Sequence, residues 1–160
     1  MQFDPTNKVV QLCAKGMELE LNQRPDEAAT LFLQAWNEAT TDFEKFTAAH
    51  YVARHQRSVE DKLKWDETAL AFALKIGDKS MATNYPSLYL NIAKCYEDLN
   101  DADKAQENYQ LAFSYADHLP DNGYGQLIRS GIKKGMERLA EFSKKSGIDE
   151  PGAGETILNF

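Results

Sequence analysis

The stretch LYLNIAKCYEDLNDADKAQENYQLAFSYA, residues 88–116, decides how the rest of the chain is read. Two amphipathic segments flank an Asn100-Asp101 turn, and alanines and tyrosines recur at fixed offsets. Counted from Ala105, Tyr109, Ala112 and Ala116 follow at 4, 7 and 11, which traces one stripe of an α-helix. Twelve residues before Ala105 stands the small residue Ala93, flanked by Tyr89 and Tyr96. The same frame recurs upstream. From Ala28 the offsets give Phe32, Ala35 and Ala39, with Gly16 twelve residues earlier. A third frame starts at Trp65 and gives Ala69, Phe72 and Ile76, with Ala53 twelve residues earlier and the large and small residues exchanged. The origins lie 37 and then 40 residues apart. Each unit therefore reads as a helical hairpin, and a lone hairpin cannot bury its apolar face without stacked neighbours.

Turn signals divide the chain in the same way. Asp4-Pro5 reads as a helix start, as does Pro25 followed by Asp26 and Glu27. Asp42 precedes the third helix, Ser58 caps the fourth and Gly77 closes it, while Tyr85-Pro86 opens the fifth. The run HLPDNGYG (118–125) breaks the chain before a seventh helix with Ile128, Ile132, Met136 and Leu139 on one face. No strand-like alternation occurs, so the fold class is all-α. The spans predicted are hairpins at about 7–40, 42–77 and 85–118, a capping helix at about 123–145 and a tail at 146–160. Residues 1–145 then form a single domain.

Composition narrows the classes of function. The chain has 160 residues, 42% hydrophobic and 27% charged, with a formal net charge of -7. Those values suit one globular domain, and the negative balance opposes general nucleic-acid binding. No apolar run reaches the roughly 18 residues that a membrane span needs. The first residues, MQFDPTNKVV, do not read as a signal peptide, and Cys13 and Cys95 are too few for a disulfide framework. Cytoplasmic residence is the expectation.

Small residues where helices cross, aromatics four positions later and a hairpin period in the thirties resemble the tetratricopeptide repeat (TPR) family. Tyr89, Ile92, Ala93, Tyr96, Ala105, Tyr109 and Ala112 match its large and small positions. So do Leu12, Gly16, Leu19, Ala28, Phe32 and Ala35, although Lys15 replaces an apolar residue. The middle unit departs from the pattern at Gln56 and Trp65, and none of the three carries the proline common at the end of the second helix. The segments FTAAHYVARHQ (46–56) and SLYLNIAKCYEDL (87–99) also resemble short bacterial TPR-like proteins, some of them labelled methyltransferases.

The resemblance implies a right-handed superhelical solenoid of three hairpins plus the capping helix. It also implies a concave groove lined by the first helix of each hairpin. Carried over position by position, the groove residues are Cys13, Met17 and Glu20, then His50, Arg54 and Arg57, then Ser87, Leu90, Asn91, Lys94 and Glu97. His50, Arg54 and Arg57, spaced 4 and 3 apart, would share one helical face. With Asn91 and Lys94 they would form a basic, hydrogen-bonding anchor for an acidic peptide or a helix segment. The alternative is that these side chains pair with acidic neighbours.

Chemistry is harder to place. GYG (123–125) and PGAGET (151–156) are the glycine clusters, and the second has Glu155-Thr156 where a phosphate loop requires a lysine. Neither follows a strand, as a methyltransferase cofactor turn would demand. His50 and His55 are five apart and point in different directions on a helix, so they do not form a metal pair. Cys95 reads as core filler, and Asp66-Glu67 and Glu97-Asp98 read as solvated faces. The function expected is therefore a non-enzymatic interaction module with no cofactor, no metal, no nucleic acid and no membrane. The alternatives are a self-associating structural or regulatory protein, and an enzyme. For the tail, Ile157, Leu158 and Phe160 are expected to dock on a groove of this chain or of a neighbouring one.

Overall fold

The computed structural model describes residues 4–145. The expected tail contact through Ile157, Leu158 and Phe160 lies outside them, as does PGAGET. Among the described residues the chain is all-α: seven α-helices, two short 3-10 turns and no strand. In order these are α1 (Lys8–Leu21), α2 (Pro25–Glu38), α3 (Asp42–Ala53), α4 (Val59–Ile76), α5 (Tyr85–Asp98), α6 (Ala102–Ser114) and α7 (Gly123–Lys145). Each helix packs on the next, α1 also meets α3, and α5 also meets α7.

Local chemistry sets most of the helix ends. Ser58 accepts the Asp61 amide at 3.0 Å, Asp101 accepts that of Lys104 at 3.2 Å, and Gly77 closes α4 with φ 60°. The Asp4-Pro5 start is corrected. Asp4 turns back to take the Thr6 amide and hydroxyl, and α1 begins at Lys8 with Asn7 as its cap. Thr41, not Asp42, caps α3. It exchanges hydrogen bonds with Glu44, whose carboxylate also takes the Asn7 side-chain amide at 2.6 Å and so ties α1 to α3.

The turn of the middle hairpin is two residues longer than those of its neighbours. α1–α2 and α5–α6 are joined through Asn22–Arg24 and Leu99–Asp101, but α3–α4 needs Arg54–Ser58. The fully buried small residues of α2 and α6 are Ala28 and Ala35, and Ala105 and Ala112. In α4 the fully buried residues are Asp66, Ala69 and Ala73, so a carboxylate stands on a face where the flanking hairpins bury methyl groups.

Close approach of helices rests on glycine at two places. Gly16 leaves room for the Phe32 ring, and Gly135 of α7 leaves room for the ring of Tyr109, where any Cβ would overlap. Gly131, one turn earlier, faces Leu90 of α5, so α7 spans both helices of the third hairpin.

Candidate functional site

Two of the polar residues singled out by the sequence, Arg54 and Arg57, lie in the extended α3–α4 turn. α3 stops at Ala53 because the Arg54 and His55 amides close onto Tyr51 and Val52 at 3.2 Å each, a tighter turn than the α-helix. Both side chains then reach α1. His55 Nε2 lies 2.7 Å from Glu20 Oε1, and Arg54 Nη2 lies 3.1 Å from Glu20 Oε2. The His55 ring rests 5.4 Å from that of Phe32, and the Arg54 guanidinium covers Tyr51 at 5.7 Å.

This corrects the expectation that His50, Arg54 and Arg57 share a helical face. Only His50 lies in α3. Arg54 caps its end, and Arg57 stands beyond it in the turn, exposed, with no hydrogen bond or ion pair among the described residues.

A second cluster lies where α4 meets α5. Lys62 pairs with Asp66 one turn later on α4, and the Cys95 thiol sits 3.8 Å from the same carboxylate oxygen. Burial pushes the Asp66 carboxyl above the usual carboxylate range, against the opposing pull of Lys62, Cys95 and Asn91. Its other oxygen, Oδ1, is buried without a partner. The reading of Asp66-Glu67 as a solvated face is therefore wrong for Asp66, which is wholly buried; Glu67 is exposed and accepts the Tyr96 hydroxyl at 2.7 Å.

His50 connects the two clusters. Burial, then the charges of Arg54 and Lys62, lower its pKa to about 4, so the ring is neutral at pH 7. Its Nδ1 is buried without a partner, and the ring packs between Phe46 and Tyr51 at 6.4 and 5.5 Å. The remaining groove candidates are engaged elsewhere. Lys94 pairs with Asp98 on its own helix. Glu97 takes Arg138 of α7 through two bonds of 2.6 and 2.9 Å and accepts the Tyr109 hydroxyl at 2.5 Å. Cys13 is buried, and Leu90 lies under α7.

Sequence reasoning missed Lys62, Asp66 and the role of Cys95. The signal that could have found them is the lysine-to-aspartate spacing of four on a helix, combined with the Ser58 cap five residues after Ala53.

Burial pushes the Cys13 thiol up to about 12 and the Cys95 thiol up to about 11, far from the thiolate a nucleophile needs. Among the described residues no group of three or more His, Cys, Asp or Glu side chains could hold a metal ion. No described helix is long and apolar enough to cross a membrane. No protein-family model, no curated protein and no solved structure matches the chain.

Proposed function

We propose that the chain is a TPR-like array, a right-handed solenoid of three hairpins closed by α7, and that it works as a non-enzymatic interaction module. The repeated burial of Ala28 and Ala35, Asp66 and Ala73, and Ala105 and Ala112 supports the repeat reading, as does the neighbour-on-neighbour order of the helices. The ligand is an acidic peptide or the acidic end of a helix, held at the α3–α4 turn. One observation carries this: Arg57 stands exposed and without a counter-ion among the described residues, three positions after Arg54, whose side chain is 47% exposed. Guanidinium groups match carboxylates through paired hydrogen bonds, so an incoming carboxylate gains Arg57 outright and can share Arg54 with Glu20. Of the other residues expected at the anchor, Asn91 and Lys94 stand on α5 and His50 lies in α3 with its Nδ1 buried, so Arg54 and Arg57 make the contact in this reading. The buried thiols, with their raised pKa values, speak against covalent catalysis.

Panning a library of short peptides on the full chain tests it. Acidic sequences are expected to be enriched, and Arg54→Glu/Arg57→Glu is expected to lose them while keeping its helical signal. Equal enrichment by the wild type and the double variant would sink the proposal.

A further inference from the structure

α7 carries a stripe whose charge reverses along its length. Arg129, Lys133, Glu137 and Glu141 recur at every fourth position, two cations followed by two carboxylates, and the last three are exposed. Beside this stripe Phe113 of α6, with Ile132 and Met136 of α7, lines an open groove of about 460 Å³. Phe113 is 65% exposed at the end of the helix stack, where no later described helix covers it. The rim of the groove carries Asp117 and Glu137 as well as Arg129 and Lys133, so the patch is neutral although the chain is acidic.

We infer that this face binds a second copy of the same chain, with the two α7 helices antiparallel about a two-fold axis. Two-fold symmetry requires that if one residue faces another across the contact, the second also faces the first. A stripe with a basic first half and an acidic second half meets that requirement with itself. An axis level with the midpoint of Lys133 and Glu137 sets Lys133 of each copy opposite Glu137 of the other. The same axis brings Arg129 level with Glu141. A parallel pairing would instead oppose like charges. Phe113 and Met136 supply the apolar centre between the charged flanks.

Within one chain Lys133 and Glu137 lie 3.9 Å apart and are largely exposed, a weak pairing that exchanges readily for the intermolecular one. Arg129 is already engaged with the Leu119 and Pro120 carbonyls at 2.8 and 3.3 Å. The contact between Lys133 and Glu137 therefore carries the specificity. This surface is separate from the α3–α4 turn, and the inference stands whether or not that turn binds peptide.

Light scattering and sedimentation on the full chain over a range of concentrations decide the matter. Wild type is expected to approach twice the 18.1 kDa chain mass at high concentration. Lys133→Glu alone and Glu137→Lys alone each create two like-charge contacts and are expected to weaken the dimer by about tenfold or more. Combining them restores complementarity, and the dimer with it. Phe113→Asp is expected to leave a monomer. Lys133 and Glu137 are exposed, so the charge variants test the inference even if Phe113→Asp does not fold. A wild-type monomer at every concentration would overturn the inference. So would single inversions that leave the dimer intact, or a double inversion that fails to restore it.

Discussion

Lys62 and Asp66 form an ion pair whose two ends sit in different media: the Asp66 side chain is 0% exposed, while that of Lys62 is 35% exposed. The pair is therefore asymmetric. Removing Asp66 leaves a cation that can turn towards water. Removing Lys62 leaves a carboxylate sealed between α4 and α5 with the Cys95 thiol as its remaining hydrogen-bond partner.

The first prediction is that asymmetry in stability. Asp66→Ala, which replaces the buried carboxylate with a methyl group of the kind α2 and α6 bury, is expected to cost less than about 1 kcal/mol or to stabilise. Lys62→Met is expected to cost about 3 kcal/mol at neutral pH, because it strands a buried charge. The loss should shrink on acidification. A carboxyl with a raised folded pKa contributes stability that is full below its unfolded value of 3.8 and is lost as pH rises through the folded value. Chemical denaturation of both variants at two pH values checks this.

His50 gives the opposite sign. Its folded pKa of about 4 lies below the ordinary histidine value of 6.5, so the unfolded chain binds the proton more readily. The neutral buried ring favours folding above pH 6.5, and that contribution drains away as pH falls towards about 4, by up to roughly 3 kcal/mol. His50→Phe, placed between Phe46 and Tyr51, should abolish this segment of the pH dependence. Thermal melts of wild type and variant across that window provide the comparison. A variant that keeps the wild-type slope would assign it to other groups.

Gly135→Ala is expected to destabilise by about 1–3 kcal/mol and to loosen α7. The new methyl group would overlap the Tyr109 ring, which is 0% exposed and held by hydrogen bonds to Glu97 and Arg138, so it cannot swing aside. Gly131→Ala is the control. Its Cβ would stand 3.0 Å from the Leu90 Cδ2, a flexible methyl, and the gain in helix propensity of up to about 1 kcal/mol offsets the crowding. Urea unfolding of the two variants, with hydrogen exchange in α7, should separate them clearly.

Glu44→Gln is expected to cost about 1 kcal/mol, since the carboxylate accepts the Thr40 and Thr41 amides and the Asn7 side chain. These bonds, led by the Thr40 amide, lower its pKa to about 2. The carboxylate therefore contributes stability that is present above the unfolded value of 4.5 and is lost as pH falls through about 2. Acid unfolding should begin at higher pH in the variant.

By itself the sequence determined that the chain is helical, and it placed most of the helix ends. Pro25, Ser58, Gly77 with φ 60° and the Asn100-Asp101 turn act through bonds reaching only three or four residues, so their effect is written locally. The stripes from Ala28 and Ala105 were legible for a similar reason, because helical periodicity puts such residues on one buried face. Tertiary structure decided the rest. ARHQRS contains neither glycine nor proline, so nothing local announces that α3 ends at Ala53; Arg54 and His55 leave the helix line and meet Glu20, which lies 34 and 35 residues earlier. That early stop took Arg57 off the face predicted for it. Which acid answers which base depends on distances between helices, and a spacing along the chain does not encode those distances until the helices have packed.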